Sequence, residues 1–136
     1  MQVPSQIDHI GIAVRSLEEA SRFYSDVMGL NCGVSEEIPD QKVRVVFFQL
    51  GEVRIELLEP IADDSPIARF LEKRGPGLHH IAYCVEDLPA TLAALKSAGV
   101  RLIDEAPRYG AHGMKIAFVH PTSTEGVLTE FCQHAR

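Results

Sequence analysis

Apolar and polar positions along the chain follow one pattern that occurs twice. "DHIGIAV" (8–14) and "HHIAYCV" (79–85) are short strand-like runs, and in a strand successive side chains point to opposite faces. His9, Gly11 and Ala13 therefore share one face, with Ile10, Ile12 and Val14 on the other. In the second run His80, Ala82 and Cys84 oppose His79, Ile81, Tyr83 and Val85. Each run leads into a helical periodicity. In the first, Ser16 is placed as N-cap, Glu18 and Glu19 lie in the first turn, and Leu17, Ala20, Phe23, Tyr24 and Val27 form a stripe that Gly29 ends. In the second, Asp87 is the cap, Pro89 fits the first turn, and Leu92 and Leu95 lead to Gly99.

Three shorter apolar runs follow each helix: Cys32 to Glu37, "KVRVVFFQL" and "VRIELLE" in the first half, then "VRLIDE", "MKIAFVHP" and "GVLTEFCQ" in the second. The prediction is an α+β chain of two tandem βαβββ modules, one at about 6–60 and the other at about 77–134. Between them, at about 61–76, Ser65-Pro66 opens a connecting helix that Gly-Pro-Gly closes. His9 and His80 stand 71 positions apart, as do Val14 and Val85, and Leu17 and Leu88. This is the register of an internal duplication within a single domain covering 1–136.

The duplication selects one histidine of each candidate pair. His80 is the repeat partner of His9, and both sit on faces otherwise lined by small residues, as a sheet facing a ligand cavity requires. His79 occupies the place of Asp8 and is read as structural. The last strand of each module adds an acid among apolar neighbours, Glu56 and Glu130. A buried carboxylate without a compensating partner costs several kcal/mol. Two neutral imidazoles and two carboxylates, His9, Glu56, His80 and Glu130, make a donor set that is neutral once it holds a divalent ion. Without thiolate the set favours cobalt, manganese, nickel, zinc or magnesium, and four ligands leave open positions of the kind a catalytic site keeps. His112, His120 and His134 have no repeat counterpart, and Cys84 and Cys132 are read as lining the inward face.

Composition narrows the partners. A formal charge of −6 disfavours nucleic acid, which needs a basic face. Three widely spaced cysteines give neither a disulfide framework nor a zinc knuckle, and no run is long and apolar enough for a membrane span. The expectation is a cytoplasmic protein, or a mature organellar form, acting on a small molecule.

Nearly end to end, through "DHIGIAV", "IELLEP", "DSPIARFLEKRGPGLHHIA", "GAHG" and "HPTSTEGVLTEF", the chain resembles the vicinal oxygen chelate superfamily and, within it, the methylmalonyl-CoA epimerase family. The resemblance implies that His9, Glu56, His80 and Glu130 are metal ligands, that cobalt is the favoured metal, and that the chain forms a homodimer. It also implies interconversion of (R)- and (S)-methylmalonyl-CoA by removal and return of the α-proton. For that chemistry Glu130 is the first choice of base and Glu56 the second. Gly110, His112, Gly113 and Lys115 of "YGAHGMK" are candidates to hold the substrate's carboxylate, and Arg69, Lys73, Arg74 and Arg108 to meet CoA phosphates.

Two positions depart from the family pattern. Val45 stands where bacterial members carry a glutamate, and Thr122 where relatives often have lysine. Two other readings share the fold: glyoxalase I (lactoylglutathione lyase), which also uses glutamates at its metal, and a non-catalytic small-molecule-binding protein. The "DSPIARFLEKRGPGLHH" phrase and the His120-Pro121 ending speak against the first, and the complete quartet of His9, Glu56, His80 and Glu130 against the second.

Overall fold

The computed structural model describes residues 3–135. Its elements run β1 (Gln6–Ala13), α1 (Leu17–Arg22), β2 (Glu36–Ile38), β3 (Val43–Leu50), β4 (Val53–Pro60), α2 (Pro66–Arg74), β5 (Gly77–Cys84), α3 (Leu88–Ser97), β6 (Arg108–Tyr109), β7 (Lys115–Val119) and β8 (Thr129–Gln133). Residue contacts divide the chain into an N-terminal unit, His9–His79, and a C-terminal unit that joins the described residues up to Asp8 to those from His80 onward.

Both units have the same strand plan. In the N-terminal unit the order is β2-β3-β4-β1, with β1 parallel to β4 and the other neighbours antiparallel. In the C-terminal unit it is β6-β7-β8-β5, with β5 parallel to β8. A parallel pairing of first and last strand is possible because a helix and two further strands intervene. The α+β class and the twice-repeated βαβββ order are therefore present, and α2 is the connecting helix.

The predicted caps form. Ser16 accepts a hydrogen bond from the Glu19 N–H, Ser65 from Ile67 and Asp87 from Ala90, and each satisfies one of the orphan donors of a first helical turn. Each unit has its own core. Val14, Leu17, Val46, Phe48 and Leu57 pack together in one, and Val85, Leu88, Leu92, Ala117, Val119 and Phe131 in the other. The helix stripe and the bulky strand face meet in both.

Three details differ from the sequence reading. The first helix is α-helical only to Arg22 and then widens into a π-turn, Phe23–Val27, with Met28 N–H donating to the Phe23 carbonyl. "VRLIDE" contributes only a single bridge, Leu102 to Val119. Its ladder is interrupted because the Asp104 carboxylate accepts the Phe118 N–H at 2.9 Å while Ile103 and Asp104 N–H both donate to the Phe118 carbonyl. The short strand there is Arg108–Tyr109 instead. Likewise Cys32 makes one bridge to Phe48, and the strand proper is only Glu36–Ile38. Among the described residues no helix is long and apolar enough to cross a membrane.

Candidate metal centre and active site

In the N-terminal unit β1 and β4 run parallel with Gly11 beside Glu56. The small residue leaves room for the acid to lean toward His9. His9 Nε2 and Glu56 Oε1 are 3.4 Å apart, with side chains 2% and 8% exposed. In the C-terminal unit Ala82 lies beside Glu130 on β8, and His80 Nε2 and Glu130 Oε1 are again 3.4 Å apart, 2% and 5% exposed. Neighbouring ligands on one six-coordinate ion, with bonds near 2.1 Å, stand about 3 Å from each other. Each imidazole–carboxylate pair is thus close to the spacing of two ligands on a shared ion, and the N/O donor set suits a divalent metal of moderate hardness.

An aromatic ring fixes each histidine. Phe47, the ladder partner of Glu56 on β3, meets His9 edge to face at 5.5 Å and 82°. Phe118, the ladder partner of Glu130 on β7, meets His80 at 5.5 Å and 86°. The sequence reading missed both rings, although their separation of 71 positions equals that of the two histidines. An arginine covers each ring in turn: Arg54 at 4.1 Å from the Phe47 centroid and Arg108 at 5.8 Å from that of Phe118. Arg54, two residues before Glu56 on the same strand face, was also missed, because alternation alone does not separate a site cation from a solvated one.

The remaining candidates fall into two groups. His79 meets Phe70 edge to face at 5.1 Å, and Arg74 lies over the same Phe70 ring. Arg69 donates to the Asp64 carbonyl, and His120 accepts the Thr122 N–H to cap a short turn. These contacts of Arg69, Arg74 and His120 all lie away from the His–Glu pair of their own unit. The "YGAHGMK" loop turns sharply, with His112 at φ 57° and Gly113 at φ 69°, left-handed values that Gly tolerates and His rarely adopts. A Cβ on Gly110 would stand 3.0 Å from Ile116 Cγ2, so a side chain there would have to push the Ile116 side chain aside. The Gly110 N–H is spent on the Met114 carbonyl and that of Met114 on the Ala111 carbonyl, so neither is open to an anion. Gly113 and Lys115 line a cleft of about 210 Å³ with Tyr109, Gln133, His134 and Ala135.

Residues 8–118 match the family model described as the Glyoxalase/Bleomycin resistance protein/Dioxygenase superfamily. The chain belongs to that superfamily. Within it, the chain is 51% identical over 129 residues to the Bacillus subtilis protein YqjC, a match covering 95% of this chain and 92% of that one. It is 42% identical over 130 residues to an ethylmalonyl-CoA/methylmalonyl-CoA epimerase of Cereibacter sphaeroides, covering 94% and 97%. A solved structure described as methylmalonyl-CoA epimerase in complex with methylmalonyl-CoA and NH4+ superposes with a TM-score of 0.94 at 36% identity, covering 98% of this chain and 96% of that one.

Val45, the departure from the epimerase pattern, is 1% exposed. It shares the strand face of Phe47, and its ladder partners are Leu58 on β4 and Glu36 on β2. Directly opposed residues project to the same face, so an acid stands one strand away from the position where the superfamily's epimerases were expected to carry one. The sequence signal for Glu36 was missed because β2 is too short to show alternation.

Proposed function

We propose that the protein is a metal-dependent epimerase that interconverts (R)- and (S)-methylmalonyl-CoA. The observation carrying this reading is the twofold recurrence of a buried imidazole–carboxylate pair on equivalent strands, each 3.4 Å apart, in a chain so similar over its length to named epimerases. His9, Glu56, His80 and Glu130 hold one divalent ion, with cobalt favoured. Such an ion, when bound, supplies Lewis-acid polarisation of a carbonyl oxygen.

The chain's own residues do the rest. Epimerisation needs a proton taken from one face of a planar carbon and returned on the other, so it needs two proton carriers. Glu130 is the first and Glu56 the second, each on the strand that ends its repeat. Phe47 and Phe118 hold the imidazoles in one orientation, which is the preorganisation that proton transfer within hydrogen-bond reach demands. Lys115, with Gly110, His112 and Gly113 of the loop before it, receives the carboxylate of the malonyl unit, and Arg54 and Arg108 place a cation over the aromatic ring of each pair. The same reading makes the protein a homodimer of the cytoplasm. In support, Phe23 and Val27 of the π-turn and Met28 after it are exposed apolar residues, and none of the three cysteines is in a disulfide.

The test is washout of the α-deuterium of methylmalonyl-CoA into ordinary water, with and without added cobalt. Wild type should exchange fast only when loaded, and Glu130→Gln should retain metal but lose exchange by a factor on the order of 10²–10⁴. Absence of exchange by the loaded wild type overturns the reading. Turnover of the methylglyoxal–glutathione hemithioacetal would then favour the lactoylglutathione lyase alternative, and metal binding without any turnover the binding-protein alternative.

A further inference from the structure

A second cluster of ligand-type side chains lies entirely within the C-terminal unit. The parallel β5–β8 ladder sets Cys84 directly beside Cys132, and alternation along β8 brings His134, two residues on, toward the same face. Asp8, at the end of this unit's N-terminal segment, places Oδ1 2.5 Å from His134 Nε2. The two sulfurs, a carboxylate oxygen and a ring nitrogen all lie within 4.8 Å of one another. From this juxtaposition we propose a second metal site, formed by Asp8, Cys84, Cys132 and His134, for a borderline-soft divalent ion of the zinc type.

The geometry and the chemistry agree on that class of ion. With Zn–S near 2.3 Å and Zn–N or Zn–O near 2.0 Å, tetrahedral ligands stand about 3.3–3.8 Å apart, so closure requires the wider contacts to draw in by about 1–1.5 Å at most and Asp8 Oδ1 and His134 Nε2 to part by about 0.8 Å. Two thiols, one imidazole and one carboxylate select zinc over magnesium or manganese, which prefer all-oxygen shells. The His/Glu pairs contain no sulfur, so the two sites differ in kind. Burial is graded in a useful direction: Asp8 and Cys132 are buried, Cys84 is half-buried, and the His134 side chain is 48% exposed. Three ligands are thereby held by the sheet while the fourth stands at the surface, beside the cleft that Tyr109, Gly113, Lys115 and Gln133 line. No disulfide competes for the thiols. The sequence reading took Cys84 and Cys132 as lining because ligands drawn from positions 8, 84, 132 and 134 leave no motif spacing.

The test is a cobalt(II) titration of the whole protein under anaerobic conditions, followed by the near-ultraviolet thiolate-to-cobalt charge-transfer band. A His/Glu site cannot give that band, so the result is independent of any epimerase activity. Wild type should develop the band, saturating at one equivalent of the absorbing species, and zinc should abolish it by displacement. Cys84→Ser should lose at least half of the band's intensity, and His134→Ala, a partly exposed position that tolerates truncation, should need at least tenfold more cobalt to reach half saturation. No band in wild type after excess cobalt overturns the proposal, and so does a His134→Ala titration that coincides with wild type.

Discussion

The two units build the same local machine from different sequences, and the places where they diverge show what the machine requires. Each holds a histidine opening the first strand, a glutamate on the last, and a phenylalanine beside that glutamate, with matching 3.4 Å and 5.5 Å contacts. Each also ties its helix to its last strand, through Leu17 N–H to Glu59 in one unit and Leu88 N–H to Gln133 in the other. That contact needs an acceptor oxygen, and it tolerates either a carboxylate or an amide. By contrast His, Glu and Phe recur without substitution. The simplest physical account is that the recurring trio serves chemistry and the variable contact serves only helix docking.

The largest expected effect is on metal. If both histidines ligate one ion, His9→Ala and His80→Ala should each weaken cobalt binding at the His/Glu site by at least about 100-fold, beyond the 10–100-fold that removal of an outer partner typically costs. The two losses should be similar. Retention of metal by one variant would break the equivalence of the units and assign the site to a single pair. Competition with a chelator of known affinity makes the measurement.

Next come the carboxylates, where the comparison should sharpen into asymmetry. With the metal loaded, Glu130→Gln should lose deuterium exchange by roughly 10²–10⁴, whereas Glu56→Gln keeps an oxygen ligand and should lose less. If Glu56→Gln exchanges as fast as wild type, Glu56 is a ligand and not a base. Glu36, opposite Val45 in the β2–β3 ladder, then becomes the second carrier, and Glu36→Gln should show the loss.

How far the sequence revealed this depended on how each feature encodes itself. The two imidazole–carboxylate pairs were legible because a strand's period is two and the duplication supplies an offset of 71, so His9 and His80 identified each other. The caps were legible because Ser16, Ser65 and Asp87 act within three residues of themselves. The ends of elements were not: the π-turn at Phe23–Val27 keeps helical hydrophobic spacing, and Asp104 replaces a ladder hydrogen bond with its side chain, which no pattern of apolar residues reports. The Asp8, Cys84, Cys132 and His134 cluster was hidden for a third reason. Its members are brought together by strand pairing across more than half the chain, and nothing local marks them.

The aromatic contacts should separate the units by stability and not by chemistry. Replacing either ring by leucine removes an edge contact worth about 1 kcal/mol. Phe47→Leu should cost more than Phe118→Leu, because Arg54 lies 4.1 Å from its ring against 5.8 Å for Arg108, and a close cation over an aromatic face adds about 0.5–1 kcal/mol. Denaturant midpoints at constant slope measure both. Equal losses would show that the guanidinium over Phe47 contributes nothing there.

The smallest effect belongs to exposed ion pairs, one in each unit: Lys42–Asp64 in the N-terminal unit and Lys96–Glu105 in the C-terminal one. The Asp64 carboxyl is held below its ordinary value of 3.8 chiefly by the hydrogen bond from Lys42, and that of Glu105 below 4.5 by the one from Lys96. A depressed folded-state value means that any stabilisation is present above the ordinary value and is lost as the pH falls through the folded one. Solvent screening keeps such pairs weak, so neither Lys42→Ala nor Lys96→Ala should shift the melting midpoint by much at neutral pH. On acidification the gap between Lys96→Ala and wild type should begin to close near pH 4.5, and that for Lys42→Ala only near 3.8. On the alkaline side the Lys96 ammonium, raised above 10.5 by Glu105, has the opposite sign: its contribution is complete below that value and disappears as the pH rises through the folded one. Gaps that persist unchanged in acid would mean that the lysine stems act by packing, and that charge has no part in the difference between the units at their surfaces.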